Sequence, residues 1–298
     1  MQEFIEKVNT LIEALPFIKD FRDKRVVIKY GGSAMVEEDL KTKIVQDIVF
    51  LKYIGMKPVV VHGGGNKISE LMKKMGKKAV FIEGIRVTDK ETMELTEMVL
   101  TGLINKDLVS LLNRNGALAV GLSGKDAMFI KTSKKKPAIG PDGKSIDYGF
   151  VGEIISIDTA PLIMLEEHGF IPVISPVGVG EDGETHNLNA DTVAGHLAAT
   201  LKAEKLVFLT DVRGILDNDK KLISSITEEE AEDLIKNNVI TGGMIPKVRL
   251  AFYALNNGVN KVHIIDGSIE HSILLEFLTS AGIGTEIIKE KKNKNLTL

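Results

Sequence analysis

The side chains able to do chemistry in this 298-residue chain are isolated cations set among glycine-rich loops. Residues 26–33, V-V-I-K-Y-G-G-S, run from a β-branched segment through Lys29 into Gly31 and Gly32. A short apolar run bounded by glycine predicts a buried strand. The two glycines let the backbone turn sharply and approach a ligand closely, and amides exposed just before a helix bind anions. Residues 58–68, P-V-V-V-H-G-G-G-N-K-I, repeat the pattern with Gly63, Gly64 and Gly65. Each loop alone also suits a plain turn, but two together point to a phosphate-handling edge. Lys29, Arg86 and Lys247 are the cations such an anion would meet. Lys247 sits at a helix start in T-G-G-M-I-P-K-V, 241–248. The helix dipole disfavours a cation there, which suggests that it serves a nearby anion. N-L-N-A-D-T, 187–192, adds one acid, and reads equally as a helix N-cap with an acid in the first turn.

That inventory fits phosphoryl transfer to a carboxylate. Such transfer needs charge neutralisation and in-line positioning more than covalent help. A carboxylate acceptor is ionised near neutral pH and needs no general base, and Arg86 offers the fork that grips a second carboxylate. Competing signatures are missing: the sequence holds no G-x-x-x-x-G-K-[ST], G-x-G-x-x-G, H-E-x-x-H or nucleophile elbow. G-P-D-G-K-S at 140–145 is too short for the first and better explained as a turn. His62 is the one suggestive histidine, and a strand-end histidine held by backbone hydrogen bonds explains it as well. The absence of cysteine excludes disulfides, thiolate metal sites and thiol nucleophiles, and no protein-built metal site is expected.

Composition narrows the partners. The chain is 44% hydrophobic and 27% charged with a net charge of −3, so no basic face for nucleic acid is evident. The lysine clusters at 131–136 and 289–294 read as a solvated loop and tail. No apolar run approaches the roughly 20 residues that span a membrane. The N-terminal segment carries Glu3, Glu6 and Glu13 and lacks a signal-peptide pattern. The cytoplasm is the expected location.

The elements that must position these groups alternate as strands and helices. Phe4, Ile5, Val8, Leu11, Ile12 and Leu15 form one helical stripe within 1–21, and Pro16 should kink or end that helix. Periodicity alone leaves the stripe to pack on its own domain or on another subunit. Helices are expected at 37–53, 91–101, 103–115, 159–168, 191–202, 228–237, 245–257 and 270–280. Strands follow at 26–30, 58–62, 117–122, 171–175, 206–211, 262–267 and 284–288. A β-hairpin excursion is expected over 125–157, turning at P-D-G, 141–143. Strand–glycine–helix units imply a parallel sheet with right-handed crossovers and ligands beyond the carboxyl ends of its strands. The fold class is therefore α/β, one sandwich with two lobes meeting near residue 187.

The motifs K-Y-G-G-S (29–33), H-G-G-G (62–65), G-I-R-V-T (84–88), N-L-N-A-D (187–191), L-T-D-V (209–212) and G-G-M-I-P-K (242–247) resemble those of the amino acid kinase family. Their order is most similar to its members that phosphorylate N-acetyl-L-glutamate. Asn66 stands where the family pattern has proline. The resemblance implies a three-layer αβα sandwich around a mainly parallel central sheet, with an acetylglutamate-binding lobe at 22–186 and an ATP-binding lobe at 187–298. It implies that Lys29 and Lys247 stabilise the transferring phosphoryl group and that Asp191 orients both. Gly32, Gly64, Gly65, Arg86, Asn187 and Asn189 would bind substrate. Gly31, Thr210, Asp211, Gly242 and Gly243 would lie by the nucleotide, with Mg2+ travelling on ATP. Arginine-inhibited members carry a kinked N-terminal helix that links dimers into a hexamer, a trimer of dimers. The resemblance thus turns 1–21 into an oligomerisation helix and makes L-arginine an expected effector, with Glu270, His271, Glu276 and Gly284 as candidate contacts. Those polar residues could equally cap and solvate the last helix. A sibling kinase for another small acid, or a non-catalytic arginine or acetylglutamate sensor, are the alternatives.

Overall fold

The computed structural model describes residues 1–35, 37–139, 145–280 and 282–289. Eight strands make the central sheet: β1 Arg25–Tyr30, β2 Lys57–His62, β3 Ala119–Ser123, β4 Ile171–Ser175, β5 Lys205–Thr210, β6 Ser225–Ile226, β7 Lys261–Asp266 and β8 Thr285–Ile287. Their order across the sheet is β6-β8-β7-β5-β1-β2-β4-β3. Every neighbouring pair is parallel except β7 with β8. The two halves of the chain occupy the two halves of the sheet and meet at the β1–β5 seam.

Helices α1 Gln2–Phe21, α2 Glu38–Tyr53, α3 Gly65–Lys74, α4 Lys90–Glu97, α5 Asn105–Arg114, α6 Ala160–Glu167, α7 Ala190–Thr200, α8 Glu228–Lys236, α9 Met244–Asn256 and α10 Ser272–Leu278 surround it. Strand alternation divides the core into two layers. Val27 of β1 packs with Val193, Ala194 and Leu197 of α7 on one face. Val26, Ile28 and Tyr30 pack with Ile44 and Ile48 of α2 on the other. Each of these valine, leucine and isoleucine side chains, buried completely, stabilises the fold by about 1.5–3 kcal/mol. The expected αβα layering is present.

Three expectations change in detail. α1 runs through Pro16 to Phe21, because one missing amide removes a single bond from a 20-residue helix. The helices expected at 91–101 and 103–115 join through a π-helical turn, Met98–Ile104, so Gly102 ends nothing. The excursion after β3 is more than a hairpin. Ile130–Lys134 and Gly152–Ile157 pair antiparallel, and Val177–Val179 and Thr185–Asn187 complete a four-stranded sheet. The P-D-G turn at 141–143 and residues 290–294 of the second lysine cluster lie outside the described residues. Among the described residues no helix is long and apolar enough to cross a membrane.

Candidate functional site

Alternation along β1 sends Lys29 to the same face as Val27, toward α7. The start of α7 is built to receive it. Asn189 caps the helix: its Oδ1 accepts the amides of Asp191 at 2.8 Å and Thr192 at 3.1 Å. That cap places Asp191 in the first turn, where its carboxylate joins two cations. Lys29 Nζ lies 3.0 Å from Oδ1, and Lys247 Nζ donates to Oδ2. All three side chains are largely buried. Burial alone would raise the Asp191 pKa, but the charges of Lys29 and Lys247 outweigh it and hold the group below its ordinary value.

A cavity of about 1090 Å³ opens beyond the carboxyl ends of β1 and β2. Lys29, Gly31, Gly32, Gly64, Gly65, Arg86, Asn187, Asn189, Asp191 and Asp211 all line it. α3 begins at Gly65 without a side-chain cap, so its N-terminus presents free amides to this space, whereas the first-turn amides of α7 are taken by Asn189. Gly32 is required in two ways. Its φ of +72° is left-handed, and a Cβ there would lie 2.3 Å from Asp211 Oδ1. A Cβ on Gly31 would lie 2.6 Å from Lys29 Nζ, so the bare backbone clears the ammonium's path.

Arg86 ends the small hairpin Phe81–Ile82/Ile85–Arg86 and is 6% exposed. One guanidinium nitrogen donates to Gly65 O and Ser69 Oγ, each at 2.8 Å, and the fork stacks 4.5 Å from the centre of the Phe81 ring. Among the described residues no acidic side chain pairs with it, and burial draws its pKa down. A buried cation on a cavity wall, with no acidic partner among the described residues, has the chemistry to receive a ligand carboxylate. Asn187 stands nearby, its Nδ2 reaching Thr88 Oγ1 at 3.3 Å, while Thr88 Oγ1 donates to Arg86 O at 2.9 Å.

The remaining predicted residues lie elsewhere. Lys247 reaches the cavity only through Asp191. Thr210 Oγ1 turns inward, 2.8 Å from Val212 O, and locks the bend after β5. Gly242, with φ +55°, and Gly243 form the open turn before α9. His62 is a buried, backbone-anchored side chain: Nδ1 lies 2.9 Å from Gly63 O, and burial lowers its pKa to about 4.

None of the effector candidates lines the cavity, and Glu276 is the one tied to α1, through Lys205 beneath Phe21. Glu276 is buried, 3.1 Å from Lys205 Nζ and also bonded to His263. Burial would raise its pKa, but these two partners hold it below the ordinary range. Lys205 in turn lies over the rings of Phe21, at 5.2 Å, and Phe277, at 4.5 Å. His271, with φ +55°, binds buried Asp47 at 2.6 Å, and Glu270 is exposed. A Cβ on Gly284 would lie 2.1 Å from Ile264 O, so this glycine lets the chain pass close beside β7. Sequence reasoning missed Ser69, Thr88, Lys205 and His263; only Thr88, in G-I-R-V-T, lay inside a motif already singled out.

The model of the amino acid kinase family matches residues 24–266. The chain belongs to the amino acid kinase family. Within it, acetylglutamate kinase of Syntrophobacter fumaroxidans is 52% identical over 296 residues, covering 98% of this chain and 99% of that protein. Acetylglutamate kinase of Aquifex aeolicus is 52% identical over 298 residues, covering 97% of this chain and 100% of that protein. Among solved structures, N-acetylglutamate synthase of Neisseria gonorrhoeae, complexed with coenzyme A and N-acetyl-glutamate, matches with a TM-score of 0.83 at 29% identity. That match covers 96% of this chain and 64% of the longer synthase. Carbamate kinase of Giardia shares the amino acid kinase fold at a TM-score of 0.64 and 19% identity, over 90% of this chain and 99% of that one.

Proposed function

We propose that this amino acid kinase transfers the γ-phosphoryl group of ATP to the side-chain carboxylate of N-acetyl-L-glutamate, giving N-acetyl-L-glutamyl 5-phosphate and ADP. The observation that carries the reading is one cavity lined both by buried Arg86, which has no acidic partner among the described residues, and by Lys29 and Asp191, with Lys247 joined through Asp191. Near-full-length identity to proteins named acetylglutamate kinase supports the choice of acid. Arg86 and Asn187 hold the α-carboxylate, leaving the side-chain carboxylate free to point at ATP. That carboxylate, ionised at neutral pH, attacks the γ-phosphorus as the bond to the β,γ-bridging oxygen breaks. Lys29 and Lys247 take up the charge spread over the transferring group, and Asp191 keeps the two ammoniums aimed at one point. Gly32, Gly64 and Gly65 offer amides to the same oxygens.

The lobe at 22–186 binds acetylglutamate and the lobe at 187–298 binds ATP, with Gly31, Thr210, Asp211, Gly242 and Gly243 on the nucleotide side. Among the described residues no group of three histidine or acidic side chains could hold a metal. Asp191 is committed to two lysines, a donor set suited to phosphate oxygens and to a metal carried in on ATP. Mg2+ on ATP supplies further charge neutralisation. The exposed stripe of α1, with Phe4 at 64% and Leu11 at 66%, supports an oligomerisation helix, and the hexameric ring is what the family resemblance implies. L-arginine would act at the C-terminal segment under α1, with Glu270, His271, Glu276 and Gly284 as its candidate contacts, and the enzyme would work in the cytoplasm.

Hydroxylamine trapping tests the reaction. With MgATP and N-acetyl-L-glutamate, a coloured hydroxamate is expected, and L-arginine should suppress it. Hydroxamate with another acid alone would overturn the substrate. No product from any acid would overturn the kinase reading.

A further inference from the structure

The π-helical turn Met98–Ile104 faces two ways. Turns of this kind collect at functional sites. Leu100, Leu103 and Ile104 wall the large cavity, while Thr101 and the adjoining Asn105 wall a second cavity of about 320 Å³. Leu100 and Ile104 press on the phosphate loop: a Cβ on Gly64 would lie 2.6 Å from a methyl carbon of each.

Behind the turn sits a buried polar cluster outside the wall of the large cavity. Asn105 is 1% exposed; its Nδ2 donates to Val173 O at 2.9 Å and lies 3.3 Å from His62 Nε2. Its Oδ1 accepts from Lys106 Nζ at 3.1 Å. Gly121 is a matching cut-out, because a Cβ there would stand 1.7 Å from Asn105 Oδ1. Ser175 Oγ lies 3.1 Å from His62 Nε2 and donates to Leu100 O, inside the π-turn, at 3.2 Å.

Donor and acceptor capacities set the imidazole's state. Gly63 O can only accept, so His62 Nδ1 carries the hydrogen. Nε2 must then accept, and the Asn105 amide nitrogen has only hydrogens to give. The ring thus ties Asn105 to the first residue of the Gly63–Gly65 loop, whose amides the reading above assigns to the reacting oxygens. We propose that Asn105 and His62 are positioning residues of the phosphate loop: Asn105, seated by the π-turn, holds the His62 ring as its Nδ1–H tautomer, and the ring holds the Gly63 carbonyl and so the aim of the Gly64 and Gly65 amides. This rests on the proposed kinase activity.

The test has a spectroscopic arm and a kinetic arm. Nitrogen-15 NMR of the histidine-labelled wild-type protein should find His62 protonated at Nδ1 and bare at Nε2 at neutral pH. His62→Asn keeps a donor where Nδ1 stood and removes the link to Asn105; His62→Gln does the reverse. Both should lower kcat by about 10²-fold, the scale of a 1 Å misplacement, with a much smaller change in KM for acetylglutamate because Arg86 still grips it. Adding Asn105→Ala to His62→Asn should cost little more, since the chain is already cut. An Nε2–H ring, or losses from His62→Asn and Asn105→Ala that multiply in full, would overturn the proposal. If the variants do not fold, the wild-type NMR measurement decides. A wild-type protein that forms no acyl phosphate would sink the kinase reading while leaving the tautomer result to stand.

Discussion

Replacing Arg86 by alanine should separate substrate grip from fold. In the free protein the guanidinium is buried with no acidic partner among the described residues, and makes two contacts of 2.8 Å to Gly65 O and Ser69 Oγ. Hydrogen bonds from a charged donor contribute about 1.5–3 kcal/mol each. The stacking on Phe81, at 4.5 Å, adds about 2 kcal/mol at such a desolvated site. Against these stands the desolvation of an unpaired guanidinium, several kcal/mol in size. The terms nearly cancel, so the melting midpoint of the free variant should move by only a few degrees. Substrate binding should respond differently. A bidentate clamp on a carboxylate loses two charge-assisted bonds, about 3–6 kcal/mol, which is about 10²- to 10⁴-fold in affinity.

Because Arg86 holds the end of the substrate that does not react, the grip is the same in ground and transition states. The loss should therefore appear in KM for acetylglutamate, with kcat nearly kept. Arg86→Lys retains the charge but not the fork and should recover only part of the loss. Hydroxamate kinetics give KM and kcat; thermal melts with and without acetylglutamate give the stability arm. An unchanged KM for acetylglutamate in Arg86→Ala would refute the reasoning. So would a variant that fails merely by unfolding, since the argument requires a free enzyme almost indifferent to this side chain.

Other perturbations read out the remaining parts. Lys29→Ala and Lys247→Ala should each lower kcat by about 10²–10³-fold while calorimetry still detects both substrates, as expected of charges used mainly in the transition state. His62 supplies a pH test: burial lowers its pKa from 6.5 to about 4, so the unfolded chain binds more protons between those values. Its contribution to stability should therefore fall by about 3 kcal/mol as pH drops from 6.5 to about 4, and denaturant titrations of His62→Asn should lack that portion of the slope. Removing residues 1–15 takes away the exposed stripe and leaves Phe21 on Phe277. Light scattering should then report a smaller assembly that keeps kinase activity and loses arginine sensitivity; an unchanged mass would rule out α1 as the link.

The division between what the chain states openly and what it conceals follows the range of the interactions. β1, β2, β5 and β7 were legible because each is a continuous apolar run ending in glycine or a polar residue, and burial on both faces forces that composition on a parallel strand. Lys29 was named from its place at the strand's end, but its aim came from the fold, where parity with Val27 sends it to the α7 side. Asp191 was ambiguous between helix cap and catalytic group, and the ambiguity was real: Asn189 does cap the helix, and the cap is what delivers Asp191 to both lysines. The π-turn was hidden because its seven residues follow no period that a sequence displays; Gly102 looked like a break in the helix. What sustains the turn is tertiary: Leu100 and Ile104 against Gly64, Ser175 on the Leu100 carbonyl, and Asn105 lodged at Gly121. The contacts with Gly64 and Ser175 join elements far apart in the chain, so no local window contains those pairs, and Asn105 meets Gly121 only because the chain folds back from α5 into β3. Arg86 shows the same limit from the other side. Its type and motif named it as an anion grip, but only the fold reveals that it is buried with no acidic partner among the described residues, which is the physical reason to expect a carboxylate from outside.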